Sequence, residues 1–464
     1  MDNIYKKFRQ IASVPRESGN EKAIREWLID WAKANEFSCL VDSKGNLTVR
    51  NFSQSNNQPI TLQAHLDMVC QKTQKSNHDF TKDPIQVVEA DGWLRGKNTS
   101  LGADNGIAIA IMMQLAEEFE NKVALELLFT IEEEIGLCGA KDLEEEMLTG
   151  NVLINLDSED EGVCTIGCAG GARIDINSEH ILTDEIKSNG YKLSVSGLTG
   201  GHSGVDINKN RLNANIVLLK LLNEIANKSD INIIEFVGGT VDNAIPRSAY
   251  AVFASEYDLD TLQNLVNTSI SQFSNVEPEV KIELEVNNEI SGVKGMNYSD
   301  SKRLIESLTN IPNGVISLIN DGLVECSSNL GVLKVINGRM DCDILTRSSN
   351  DPKLDEVISK TRSLAQDYKY NFELGERYPG WLPDFNSSLL ANAKQVYFEL
   401  FNKELIVDVI HAGLECGVLV KKGSNVDAIS LGPTIKDPHS PNERVELDSI
   451  EKLYKFLKSL IVTI

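Results

Sequence analysis

Residues able to ligate a metal or move a proton collect at three places in this chain, each just after a short apolar run. Residues 60–64 lead into His65-Leu66-Asp67, residues 123–130 into Glu132-Glu133-Glu134, and residues 152–156 into Asp157-Ser158-Glu159-Asp160. Asp104 lies in Ser100-Leu101-Gly102-Ala103-Asp104-Asn105-Gly106, where the glycines let the backbone approach closely. His439, one of six histidines, sits in Asp437-Pro438-His439-Ser440-Pro441-Asn442-Glu443-Arg444. Such a set suits two zinc ions about 3.5–4 Å apart, which need one bridging carboxylate and separate His or carboxylate ligands for each ion.

The spacing within each segment has consequences. His65 and Asp67 are two apart, so an extended chain points both to one face. His65 can then ligate while Asp67 orients it or a neighbour. Glu133 and Glu134 are adjacent and face opposite ways in an extended segment. One could bind metal while the other faces substrate as a general base. Each residue also has a plainer explanation: Asp104 as the N-cap of a helix over 107–118, the three glutamates as a solvated loop, Asp157 as a strand-end turn, His439 as a loop residue. Their joint arrival at strand ends favours a metal site.

The elements that must position these residues can be read from the pattern. The three apolar runs are short and rich in Leu, Ile or Val, as buried strands of an α/β sheet are. Ligands of such sheets bind at the carboxyl ends of the strands. Residues 22–35 form an amphipathic helix entered through Ser18-Gly19-Asn20-Glu21. From about Ile186 the texture becomes α+β, with strands over 191–195, 233–237, 249–254, 280–286 and 340–345 and helices over 212–226 and 259–273. The chain turns again near Tyr378-Pro379-Gly380-Trp381, and a helix over 387–401 and a strand over 426–431 precede His439. If that strand joins the first sheet, residues 1–185 and 385–464 form an α/β catalytic domain. Its mixed sheet is flanked by helices, and residues 186–384 form an inserted α+β lid.

Composition narrows the function classes. A chain of 464 residues suits two or three domains. A formal charge of −23 argues against nucleic acid or an anionic membrane as partner, since both require basic patches. The N-terminus lacks the apolar segment of a signal peptide, and the apolar stretch over 107–113 is too short to span a bilayer. The eight cysteines are scattered with no CxxC pair, which predicts free thiols and a cytoplasmic protein.

The ordered segments QAHLDMVCQK, SLGADNGIAIA, FTIEEEIGLCGA, LINLDSED, GLTGGHSGVDI, VDNAIPR, LTRSS, YPGW, HAGLECG and LGPTIKDPHSPNERV cover essentially the whole chain. In them the sequence resembles the M20 metallopeptidases and, among these, the PepD group of aminoacyl-histidine or cytosol non-specific dipeptidases. The resemblance implies a zinc-peptidase-like catalytic domain. It implies one zinc on His65 and Asp157, a second on Glu134 and His439, and Asp104 bridging both. Manganese or cobalt are substitutes. Glu133 would be the general base and Asp67 the residue that steers it or the imidazole. The lid would supply His202 to the oxyanion, Arg347 to the substrate carboxylate and Asn243 to substrate positioning. Glu415 is placed either at the substrate amino terminus or, with His411, in the floor of the site. The implied activity is hydrolysis of unblocked dipeptides, Xaa-His included, with a small peptide as partner and a homodimer left open. An N-acyl amino acid deacylase or tripeptidase on the same metals is the nearest alternative. An inert metal- or peptide-binding protein is a second, disfavoured by the intact Glu133. A cysteine hydrolase built on Cys416 and His411 lacks an orienting third group.

Overall fold

The computed structural model describes residues 1–52, 58–180, 182–183, 186, 188–290, 293–319, 322–423 and 425–464. The chain forms two compact units. One comprises Met1–Cys168, Trp381–Ile410 and Leu414–Ile464, the other Ala169–Gly380 with His411–Gly413.

In the first unit the strand order is Ser38–Val41, Leu47–Arg50, Leu125–Thr130, Ile60–His65, Val152–Asn155, Asp427–Ser430, Val163–Cys168, Ile406–Ile410. The four strands from Leu125–Thr130 to Asp427–Ser430 run parallel to one another. Every residue of Ile60–His65 and Leu125–Thr130 is buried. Both faces of a parallel sheet are covered, so these strands carry continuous apolar runs rather than an alternating pattern. Helix Ala103–Glu118 is buried from Ala103 to Ala116, in keeping with a sequence that is apolar on every side. Helix Leu447–Thr463 instead buries one stripe, including Ile450, Leu453, Leu457 and Leu460. The chain leaves and re-enters this unit side by side. Cys168 and Trp381 exchange both backbone hydrogen bonds, at 3.0 and 2.9 Å.

The second unit is built on an antiparallel sheet in the order Lys281–Val286, Asn189–Ser196, Ala249–Ser255, Ile231–Gly238, Val324–Ile336, Arg339–Ser348, Gly170–Glu179, Asn371–Tyr378. Here burial alternates along the strands, as in Asn189–Ser196, because one face packs on a core and the other does not. That core includes Leu218, Leu222, Phe236, Phe253 and Ile344. Helix Ala214–Ala226 is capped by Asn213, whose side chain accepts from the amides of Asn215 and Ile216. The unit begins at Ala169, ahead of the boundary that texture suggests, because Gly170–Glu179 pairs with Arg339–Ser348 and Asn371–Tyr378. Residue 185 itself lies outside the described residues. Residues 411–413 belong here too, Ala412 accepting the amide of Ala169 at 3.1 Å.

The architecture is mixed α/β, as the sequence pattern predicts. Among the described residues no helix is long and apolar enough to cross a membrane.

Candidate metal centre

The parallel strands deliver their chemistry at the carboxyl ends. His65 is the last residue of its strand, and Asp67 lies just beyond it in the adjoining loop. The segment after Leu125–Thr130 carries Glu133 and Glu134, and the one after Val152–Asn155 carries Asp157. His439 lies in the loop beyond Asp427–Ser430, in the left-handed region at φ 56°. Asp104 enters from the start of helix Ala103–Glu118, where its own φ and ψ (−76°, 106°) are not helical and the Asp104-Asn105 peptide is cis.

Asp104 is not the N-cap that its position suggests, because both its carboxylate oxygens are turned to imidazoles. Oδ1 lies 2.9 Å from Nε2 of His65, and Oδ2 lies 3.1 Å from Nε2 of His439. Each imidazole has a second carboxylate. Asp157 Oδ1 is 3.2 Å from His65 Nε2, and Glu134 Oε2 is 3.1 Å from His439 Nε2. Ligand atoms of His65, Asp104 and Glu134 all lie within 4.8 Å of one another. The second oxygen of Glu134 is buried with no hydrogen-bond partner among the described residues. Two sets of donors therefore share one carboxylate, and an acceptor-only oxygen is left for a cation. That donor chemistry fits a pair of divalent ions.

Asp67 stands behind this centre. Its oxygens accept from Ser18 Oγ at 2.8 Å and from the amides of Glu133 and Glu134 at 3.0 and 3.2 Å. One of them lies 3.4 Å from Nδ1 of His65, the ring nitrogen turned away from Asp104. Asp67 thus ties the His65 strand end to the glutamate segment.

Charge is concentrated here. Burial works to lower the pKa of His65, yet Asp157, Asp104 and Asp67 outweigh it and hold it well above the usual imidazole range. The carboxylates of Asp104 and Glu134 push His439 up to about 11. Burial would raise Asp104, but His439 and His65 keep it far below the ordinary carboxylate range. Burial lifts Asp157 to about 6. Burial also lifts Glu133 well above its usual value, with Asp157, Glu415 and Glu134 adding to the effect against His65. The pattern is that of more buried carboxylates than two imidazoles can balance.

Glu415 opens helix Glu415–Lys422 and is fully buried. Its Oε2 accepts from Gln63 Nε2 at 2.6 Å and Thr130 Oγ1 at 2.7 Å. Burial raises its pKa to about 7.

The second unit holds the other predicted residues. His202 lies in the short strand Gly201–His202, paired with Ala244–Ile245, and the amide of Ser203 donates to the Asn243 carbonyl at 2.8 Å. Nδ1 of His202 accepts from the amides of Gly204 and Val205 at 3.1 and 3.2 Å. A nitrogen that accepts carries no proton, so Nε2 is the donor of the neutral ring. Burial, followed by Arg347, lowers the pKa of His202 and keeps it neutral. Gly201, at φ 144°, is required here, since a Cβ would meet Asp206 and Arg211.

Arg347 is buried, donates to Tyr378 Oη at 2.7 Å and has an Nε with no partner among the described residues. Tyr378 packs its ring where Cβ atoms on Gly171 or Gly413 would lie. His411 Nε2 is 2.7 Å from Ser327 Oγ, and burial with Arg347 lowers its pKa to about 3. A buried guanidinium among neutral imidazoles and hydroxyls suits a carboxylate ligand.

The predicted residues thus fall into two groups. His65, Asp67, Asp104, Glu133, Glu134, Asp157, Glu415 and His439 belong to the first unit, and His202, Asn243, Arg347 and His411 to the second. Sequence reasoning missed Asn105, whose amide donates to Asp157 Oδ1 at 2.7 Å, and Tyr378 on Arg347. It also missed Arg16 and Glu443 behind Asp104. Glu443 was visible only as part of the His439 motif, and Arg16 carried no signal.

A parallel-centred sheet whose strand ends gather imidazoles and carboxylates around one shared aspartate forms a candidate metal centre. Comparison with known proteins makes the class specific. Residues 61–463 match the model of peptidase family M20/M25/M40. The chain is 39% identical to the cytosol non-specific dipeptidase of Escherichia coli (strain K12), over 98% of this chain and 96% of that one. The aminoacylhistidine dipeptidase of Vibrio alginolyticus superposes with a TM-score of 0.93 at 34% identity, covering 100% of this chain and 96% of its own. Aminopeptidase PepT from Bacillus cereus, with a TM-score of 0.58 and 16% identity over 99% and 97% of the two chains, shares the fold. The chain belongs to peptidase family M20/M25/M40.

Proposed function

We infer that the chain, a dipeptide-hydrolysing metallopeptidase of this family, works with two divalent ions, zinc in the first instance, and with Glu133 as general base. The observation that carries this reading is the shared carboxylate of Asp104, one oxygen toward each imidazole. The dipeptide substrate rests on the two dipeptidases that resemble the chain over nearly its full length. The name of the second supports Xaa-His dipeptides among the substrates. The cytoplasm is the proposed location, supported by the name of the first.

His65 and Asp157 would hold one ion and Glu134 and His439 the other, with Asp104 common to both. When bound, such ions polarise the scissile carbonyl and lower the pKa of water towards ~7. Glu133 removes the proton of the attacking water and passes it to the leaving amine. Burial raises its pKa above the usual carboxylate range, which favours its holding the proton between the two transfers. Asp67 keeps His65 oriented and the Glu133 amide in place. His202 donates from Nε2 to the developing oxyanion. Arg347 pairs with the free carboxylate of the dipeptide, and a longer peptide would put that carboxylate elsewhere. Asn243 helps to position the substrate and His411 shapes the carboxylate pocket. Glu415 is assigned to the floor of the metal centre, since Gln63 and Thr130 hold its Oε2 to the strands that lead to His65 and Glu133.

The test is turnover of an Xaa-His dipeptide, an N-acetylated amino acid and a tripeptide by protein stripped with chelator and reloaded with zinc or manganese. Metal-dependent cleavage confined to the dipeptide is expected. Cleavage of only the acylated substrate would keep the metal chemistry and overturn the substrate. Loaded protein that turns over none of the three would overturn the enzymatic reading.

A further inference from the structure

Behind Asp104 lie two ionic side chains that no step of the reaction uses. Glu443 is 3% exposed, and its carboxylate accepts four consecutive backbone amides. Oε2 takes Leu101 and Gly102 at 2.7 and 3.0 Å, and Oε1 takes Ala103 and Asp104 at 2.7 and 3.3 Å. Helix Ala103–Glu118 opens at this point without a side-chain cap from its own N-cap residue, Gly102. A remote carboxylate thus meets the orphan amides of the first turn, and its charge favours the positive end of the helix. Asp104 is thereby released from capping, and its oxygens are free for the two imidazoles.

Arg16 is the counterpart. It is 2% exposed and donates from one guanidinium nitrogen to the carbonyls of Leu66 and Asp67, at 2.9 and 2.8 Å, and from the other to the carbonyl of Gly102. Cβ atoms on Gly102 or Gly106 would fall within 2.8 Å of it, so glycine at both places makes room for the guanidinium. Arg16 therefore joins the loop after His65 to the residue two before Asp104. Glu443, in the same segment as His439, joins that backbone to the other imidazole. The two side chains thus tie the Leu101–Asp104 backbone to the loops of both histidines, and a shared ligand needs its neighbours held with such precision.

We propose that Glu443 and Arg16 are positioning residues for the bridging carboxylate, and that they raise metal affinity by holding the Leu101–Asp104 backbone between the two histidine loops. The proposal rests on Asp104 bridging two ions, so its test includes that residue. Zinc affinity and stoichiometry of the folded protein would be measured by competition with a chromogenic chelator, for wild type, Glu443→Gln, Arg16→Lys and Asp104→Asn, with metal-free melting temperatures alongside. Glutamine keeps the shape but presents donors to two of the four amides, and lysine keeps the charge but cannot span three carbonyls. A loss of at least tenfold in affinity is expected for both, roughly the effect of removing a partner behind a ligand. Residues that serve the fold alone would lower the metal-free melting temperature and leave the folded protein's affinity unchanged, and that result would overturn the proposal. Should Glu443→Gln give no folded protein, Arg16→Lys decides on the same criterion. Asp104→Asn that still held two tight ions would instead overturn the bridging assignment itself.

Discussion

The polar clusters of the two units are opposite in charge. At the parallel strand ends of the first, Asp104, Glu134, Asp157 and Glu133 crowd two imidazoles, and the histidines are driven towards the charged form. In the second, Arg347 lies among His202, His411, Tyr378 and Ser327, and both histidines are driven towards the neutral form. The same side chain is thus set to different tasks by its neighbours. Imidazoles among carboxylates share an excess of negative charge that calls for cations. Imidazoles beside a buried guanidinium stay neutral, one of them a fixed N–H donor, in a surrounding that calls for an anion. In the proposed function, metal ions would answer the first demand and the carboxylate of a dipeptide the second.

Four substitutions would break or sharpen this contrast. Glu133→Ala should lower kcat by about 10²–10⁴-fold, the usual worth of a general base, with two ions still bound by metal analysis. Activity above a tenth of wild type would remove Glu133 from that role. His202→Ala should cost on the order of 10²–10³ in kcat, as for loss of one oxyanion donor, and leave zinc affinity unchanged. Weakened metal binding would move His202 into the same category as His65. For Arg347→Ala we expect KM for a dipeptide to rise by about 10–100-fold, the range for a charge-assisted hydrogen bond. The dipeptide's C-terminal amide should be affected far less, so an equal loss for both would refute carboxylate pairing.

The smallest effect concerns pH. The folded pKa of His411 lies near 3 against an ordinary 6.5, so the unfolded chain takes up this proton first as pH falls. Its contribution is intact above about pH 6.5 and is lost progressively from there towards pH 3, the loss reaching ~2 kcal/mol at pH 5. His411→Gln should therefore show a smaller drop in melting temperature between pH 7 and pH 5 than wild type, by several degrees. An identical drop would mean that His411 is not held neutral by its surroundings.

The residues of the candidate metal centre were legible because their positions coincide with a local signal. Fully buried parallel strands write themselves as apolar runs. The residues just past the end of such a run mark the strand's carboxyl end, and this exposes His65, Glu133, Glu134 and Asp157. Asp104 was legible less directly, since an Asp before a helix looks like a cap, and only the presence of Glu443 on the same amides frees it. The second unit's start was not legible from texture. Gly170–Glu179 resembles the stretch before it, and its membership depends on partners far along the chain.

By itself the sequence determined the alternation of strands and helices, the ligand types at strand ends and the family to which the chain belongs. Those properties are local, or written in ordered motifs. The resemblance implied that one aspartate serves two histidines distant in sequence, but only the tertiary structure decided which oxygen faces which ring and that Glu443 and Arg16 hold its backbone. It also decided which nitrogen of His202 carries the proton. Each of these depends on hydrogen bonds between residues far apart in the chain. Directional contacts of that kind leave no periodicity to read.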